Sequence, residues 1–456
     1  MPKKSNRNEQ FPTQSGNAEV ASDTSGLNRR SLLTGGMATV GGAAILSQVN
    51  GPARAASGDP IPIGAALPLS GFAAADGVEF RQGLELAADE INALGGILGR
   101  PLELHYEDTG DMGADNVSQA MQRLVDLENV HAIINGYNVG TSMIEMDVAA
   151  DNDVILTHFN TFISHNTKFL EDPERYYGCF QGDPPEYWYG PGFLLFLQNL
   201  EKSGAWQRPN NKLAIIPSAN EYSIVIANAM RDQASEFGFE ISLFETVPFP
   251  NSQWGPVLAK LREDPPAAVA ITHFLPQDLA QFMVQFTSQP TQSLIYMQYG
   301  PSLPAFRDIG GENVNGVLYS TVIGALPDDF GKPYERRYKE RFGENSAHNT
   351  ASQTYEGLWH YSLAAAIAGG TGEPFDKEQN KKVAAAMNGL IYRGVNGATR
   401  FDPEGQSAFC YPTQIGDPSL GMPHQFLQHQ DYRVQARLIA PDLYKTHDFV
   451  APPWMK

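Results

Sequence analysis

Between Ile61 and Asp111 the chain runs strand, helix, strand, an order that fits a parallel sheet and little else. Ile61 to Leu69 is an apolar run without a charge, as expected of a strand buried on both faces. Ser70-Gly71 ends it. From about Val78 to Leu94, the residues Phe80, Leu84, Ala87, Ala88, Ile91 and Leu94 recur at helical spacing along one face. Asp76 is the expected N-cap, and Gly95-Gly96 stops the helix. Leu102 to Tyr106 then alternates apolar and polar, the pattern of a second strand. One βαβ unit of this kind implies right-handed crossovers and a parallel sheet.

The same alternation continues. A helix is expected from Asp115 to about Glu128, a strand at His131–Ile134, a helix near Thr141–Asp151 and a strand at Val154–Leu156. A second series starts at the strand Lys212–Ile216 and runs to the strand Leu294–Met297. Strands and helices alternating at this spacing give a doubly wound α/β sheet, with ligand-binding loops at the carboxyl ends of its strands. The opening stretch also resembles a known family. Leu69-Ser-Gly71, Gly77, Gly83, Ala87-Ala-Asp-Glu-Ile-Asn92 and Gly95-Gly-Ile-Leu-Gly99 are similar to the start of the type I periplasmic solute-binding proteins, the leucine/isoleucine/valine-binding family with its urea- and amide-binding branch.

That resemblance implies two doubly wound parallel-sheet lobes joined by a three-strand hinge. The crossings are expected at 176–183, 316–321 and 408–415. Residues 56–180 and 319–400 would form the first lobe, and 181–318 and 401–456 the second lobe with a C-terminal tail. The family's function implies a receptor for a small solute, serving the permease of an ABC importer as a monomer and needing no cofactor. A ligand-sensing receptor subunit of the same fold is the alternative, and a hydrolase acting on a small amide is a remoter one.

Charge and the N-terminus agree with an exported binder. The chain carries −19; residues 1–55 hold six basic and three acidic residues, so the remainder carries −22. An acidic body argues against nucleic acid and anionic membrane as partners. Asn28-Arg-Arg-Ser-Leu-Leu-Thr34 resembles a twin-arginine export motif. The apolar segment Leu32–Leu46 follows it, and Ala53-Arg-Ala55 fits a cleavage site, which places the mature chain in the periplasm. An oxidising compartment permits Cys179 and Cys410 to form a disulfide, and equally permits two buried thiols.

Five loops at strand ends, and a sixth that the resemblance implies, are expected to line the ligand cleft. The Ser70–Gly77 loop offers backbone N–H groups and the carboxylate of Asp76. Tyr137, Asn138 and Val139 follow the third strand, and Phe159 and Thr161 the fourth. From the other lobe come Asn220 and Tyr222, then Phe274. The resemblance implies an acidic residue for the ligand ammonium where this chain has Tyr299. An unpaired ammonium in a closed cleft is costly, so Asp76 or Glu356 would have to replace that acid. Otherwise the solute is an amide, a urea-like compound or an aromatic acid rather than an ordinary amino acid.

Each residue also has a purely structural reading: aromatics as core, and Asp76 as a helix cap. His105, His158 and His273 have no metal-ligand spacing, so no metal is expected. The nucleophile-elbow, zinc-protease and phosphate-loop motifs are absent from the sequence. The pair Glu107-Asp108 has the chemistry for acid–base work but no partner motif. The expectation is a binding protein, not an enzyme.

Overall fold

The computed structural model describes residues 56–455. The Arg29-Arg30 export motif and the Ala53-Arg-Ala55 cleavage site lie outside the described residues.

The first sheet contains β1 (Ile61–Leu67), β2 (Leu102–Asp108), β3 (Ala132–Ile134), β4 (Ile155–His158) and β5 (Cys179–Gln181). All pairs are parallel, in the order β2-β1-β3-β4-β5. The connecting helices are α1 (Ala74–Ala93), α2 (Ala114–Asp126), α3 (Ser142–Asp151) and α4 (Ile163–Glu171). Helix α1 begins a turn earlier than expected, with Ala73 at the N-cap and no side-chain cap, so Asp76 sits inside the first turn. There its charge faces the positive end of the helix dipole. Helix α4 breaks the apolar pattern because His165 shares its inner face with Phe169, and a buried histidine reads as polar in a sequence.

After β5 the chain enters a second sheet. Its elements are α5 (Tyr189–Lys202), β6 (Lys212–Ile216), α6 (Glu221–Gln233), β7 (Glu240–Phe244), α7 (Gly255–Glu263), β8 (Ala268–Ile271), α8 (Pro276–Thr287), β9 (Leu294–Gln298), α9 (Pro304–Gly310) and β10 (Leu318–Thr321). The chain then returns to the first lobe as α10 (Gly331–Phe342), α11 (Ala351–Ile367) and α12 (Lys377–Gly389). Tyr338, Leu358, Trp359 and Met387 from these helices join Ile61, Phe80 and Leu84 in one core. A hairpin of β11 (Tyr392–Gly394) and β12 (Gly397–Thr399) follows.

The third passage runs beside the first. Gln181 N–H donates to the Gln406 carbonyl (2.9 Å), and Ala408 N–H to the Gln181 carbonyl (3.0 Å). The chain then forms β13 (Cys410–Tyr411), β14 (Met422–Pro423), β15 (Gln425–Gln428) and β16 (Arg437–Ala440). The last two make the second sheet mixed rather than wholly parallel: β15 pairs antiparallel with β10, and β16 with β15, giving the order β16-β15-β10-β9-β8-β6-β7. The C-terminal tail packs on the second lobe. Trp454 Nε1 donates to the Ser293 carbonyl (2.9 Å), and its ring meets Phe286 edge-on.

Cys179 and Cys410 are both buried and unbridged. Burial pushes the Cys410 thiol up to about 12 and the Cys179 thiol higher still, so neither is a reactive thiolate. No helix among the described residues is long and apolar enough to cross a membrane.

Gly83, part of the opening motif, has a packing reason. A Cβ there would lie 2.1 Å from the Ala351 carbonyl oxygen, at the crossing of α1 and α11. Alanine favours a helix interior over glycine by about 1 kcal/mol. Even so, Gly83→Ala is expected to destabilise the protein by about 1–3 kcal/mol, because backbone cannot yield to an overpacked methyl. A denaturant midpoint that rises in Gly83→Ala would contradict this packing.

Candidate ligand-binding cleft

A cavity of about 400 Å³ opens between the lobes, lined from both. Phe72, Ala73, Asp76, Tyr137, Val139, Phe159, Asn160, Thr161 and Phe162 line it from the first lobe. Tyr222, Phe274, Leu275, Pro276, Gln277, Tyr299 and Leu303 line it from the second, with Ile323 at the second crossing. A second cavity, of about 450 Å³, lies wholly within the second lobe between α5 and the β13–β16 segment. Only the smaller one joins strand ends of both sheets, which is where open α/β sheets bind ligands.

Eight of the ten expected residues therefore meet in one cavity: Asp76, Tyr137, Val139, Phe159, Thr161, Tyr222, Phe274 and Tyr299. Two do not. Asn138 is fully buried; its amide donates to the Ala66 carbonyl (3.1 Å) and to Glu145 Oε1 (2.7 Å). Asn220 caps α6: its Oδ1 accepts from Ser223 N–H (3.0 Å), and its amide donates to Ser218 Oγ (2.7 Å). Glu356, the other candidate for an ammonium, is buried away from the cleft, where it accepts from Asn396 N–H (2.6 Å).

Beneath the first-lobe wall sits a buried carboxylate held by three asparagines. Glu145 Oε1 accepts from Asn135 (2.6 Å) and Asn138, and Oε2 from Asn160 (2.6 Å). Asn138 N–H donates to Asn160 Oδ1 (2.7 Å), Ala66 N–H to Asn135 Oδ1 (2.8 Å), and the Thr109 hydroxyl to Asn138 Oδ1 (2.7 Å). This network ties the carboxyl ends of β1, β2, β3 and β4 to α3. The pair Glu107-Asp108 is also structural. Asp108 Oδ1 accepts from the N–H groups of Leu69, Ser70 and Gly110 (2.8–3.1 Å), Asp111 Oδ1 accepts from Phe72 N–H (3.2 Å), and Glu107 pairs with Arg123 (2.7 Å). The backbone donors expected of the 70–77 loop are therefore largely taken by the protein's own carboxylates.

Tyrosines link the lobes. The Tyr137 hydroxyl donates to Asp76 Oδ2, and Tyr299 enters the same cavity from the second lobe. Phe162 and Tyr222 meet edge-on across the cleft, ring centroids 6.2 Å apart. Gln298, beside Tyr299, donates to the Tyr222 hydroxyl (3.1 Å) and so orients it. Thr161 and Tyr299 both have positive φ, 60° and 49°. Such backbone costs about 1–3 kcal/mol per residue and tends to persist where surrounding structure and function hold it. Phe72, Asn160, Phe162 and Gln277 were missed in the sequence, although Phe72, Asn160 and Phe162 each adjoin a residue that was singled out.

Burial raises the Asp76 carboxyl against the pull of the Tyr137 hydrogen bond. Behind Thr161, burial pushes Asp183 up to about 7 and Glu186 up to about 8, and it pushes Glu145 up to about 7. Acids raised on folding stabilise the fold fully at low pH and lose that contribution as pH rises through their folded values. Buried neutral histidines work the other way. His165 and His424 are held down to about 3, and His360 and His429 to about 4, so they cost stability below about pH 6.5. The ligand-free protein should therefore melt highest at about pH 6–7 and lower at about pH 8.5. Glu186→Gln should flatten the alkaline limb. A melting temperature that climbs steadily to pH 8.5 would contradict these assignments.

Comparison with known proteins gives the family. The periplasmic binding protein profile matches residues 60–413. A Leu/Ile/Val-binding protein homolog 2 from Brucella abortus (strain 2308) is 25% identical over 366 residues, which is 79% of this chain and 88% of its own length. A crystal structure from Silicibacter pomeroyi, provisionally described as a branched-chain amino acid ABC transporter, is 54% identical with a TM-score of 0.85; it covers 87% of this chain and 100% of its own. A substrate-binding protein from Streptococcus pneumoniae in complex with isoleucine shares the fold, with TM-score 0.64 and 18% identity, over 84% of this chain and 100% of its own. Two α/β lobes around a shared cleft, a profile match over most of the chain and a relative matched end to end lead to one statement: the chain belongs to the periplasmic binding protein family.

Proposed function

We propose that this protein is the monomeric solute receptor of an ABC importer, exported by the twin-arginine route and docking on its permease when closed around a small polar solute. The observation that carries this reading is the cavity itself, sized for a small molecule and lined by side chains of both lobes. A solute touching both lobes favours the closed form by its differential affinity for that form. The ligand-binding roles of Asp76, Tyr137, Val139, Phe159, Thr161, Tyr222, Phe274 and Tyr299 belong to the same reading. The solute range spans amino acids, short amides, urea-like compounds and aromatic acids. Amino acids are included because the 54%-identical relative is provisionally described as a branched-chain amino acid transporter. The matched family is one of periplasmic binding proteins, and the reading is of a binder. A thermal-shift panel over these solute classes tests it. A ligand at 100 times its Kd adds about 2.7 kcal/mol of stability, and no shift with any of these classes, nor with small organic cations, would argue against a receptor.

A further inference from the structure

We propose that the solute is a small organic cation, an alkylammonium or quaternary ammonium, held between Asp76 and the aromatic rings of the cleft. This rests on the cleft being the solute site.

The lining side chains include one carboxylate and no Lys, Arg or His. Around Asp76 stand seven aromatic rings, three of them tyrosines. An aromatic face attracts a cation through its quadrupole, more strongly once water is excluded, and cages of such rings recognise methylated ammonium groups. Tyr137 occupies Asp76 Oδ2 and leaves Oδ1 for the ligand.

Backbone donors at the first-lobe strand ends, and the Thr161 hydroxyl, are spent within the protein, which leaves the neutral Gln277 amide and the Tyr222 and Tyr299 hydroxyls in the lining. Leu69 and Ser70 N–H go to Asp108, and Phe72 N–H to Asp111. Val139 N–H goes to Met112 Sδ, Phe162 N–H to Gln181 and Ile163 N–H to Glu186. The Thr161 hydroxyl donates to Asp183 Oδ2 at 2.6 Å. One acceptor, by contrast, remains in the lining: Asp76 Oδ1. Asp183 and Glu186 lie fully buried behind Thr161 and Ile163, outside the lining, where burial raises both carboxyls, so the charge presented to a ligand is that of Asp76. An anion entering here meets Asp76 and ring faces; a cation meets complementary charge. A zwitterionic amino acid would find no cation in the lining for its carboxylate.

The test is isothermal titration of the purified protein with four probes: tetramethylammonium, isobutylamine, its neutral near-isostere isobutyramide, and leucine. Isobutylamine should bind at least about tenfold tighter than isobutyramide, and tetramethylammonium should bind measurably. Asp76→Asn should weaken both cations by about 30-fold or more while leaving the amide within about threefold. Tyr299→Phe, which keeps the ring, should hold tetramethylammonium affinity within about threefold, and Tyr299→Leu should lose about tenfold. Leucine or isobutyramide binding tighter than isobutylamine overturns the cation and leaves the receptor standing. Binding by none of the four, in folded protein, overturns the cation, and the receptor reading then stands or falls on the wider thermal-shift panel.

Discussion

Glu145→Ala is expected to destabilise the protein by about 3–5 kcal/mol, the largest loss of any single substitution considered. The carboxylate is fully buried and accepts from three asparagine amides at 2.6–2.7 Å. Removing it strands three donors at once, and each buried orphan costs about 1–3 kcal/mol. Partial collapse and entering water keep the sum below three times that cost. Glu145→Gln keeps the volume and one acceptor, and should lose about half as much. Urea denaturation with an unchanged slope and a lowered midpoint is the readout. A midpoint within experimental error of the parent would mean that the asparagines find other acceptors. Because the network ties four strand ends under the first-lobe wall, the surviving Glu145→Gln protein should also bind its solute more weakly, without any lost contact.

Tyr222→Ala is expected to weaken solute binding by about 2–4 kcal/mol, or roughly 30- to 1,000-fold. Tyr222 lines the cleft from the second lobe, packs edge-on against Phe274 (5.7 Å between centroids) and faces Phe162 of the first lobe. Its loss removes ligand wall and an inter-lobe contact together. Tyr222→Phe keeps the ring and gives up only the hydrogen bond from Gln298, so it should lose about 1 kcal/mol. Titration calorimetry separates the two. The protein should stay folded, since the ring is half-buried; unchanged affinity in Tyr222→Ala would make Tyr222 a packing residue and nothing more.

How much of this was legible in the sequence follows from what each residue must satisfy. The strands of the first sheet are uncharged or alternating runs bounded by glycine, and they appear within a residue or two of the expected places. The cleft aromatics were legible because they follow strand ends, where a doubly wound sheet gathers its loops. Asn138 and Asn220 follow strand ends too, but an amide can face a ligand or satisfy backbone and buried charge, and sequence does not say which way it turns. Glu145 was invisible for a related reason. An acid on a short helix ordinarily faces water, and only the three asparagines brought beside it by β3 and β4 make burial tolerable. The antiparallel β15–β16 pair escaped because its partner, β10, lies a hundred residues earlier. Short apolar segments carry no signature of their direction of pairing.

The first and last described segments are mounted on opposite jaws. Ser57 and Gly58 N–H groups are pinned to the Gly99 carbonyl at 3.0 Å beside the first sheet, and Trp454 is pinned to Ser293 beside the second. These two anchored segments are thus a built-in caliper. A fluorophore near Ser57 and another beyond Trp454 would ride with separate bodies, and their energy transfer would report the hinge angle without touching the cleft.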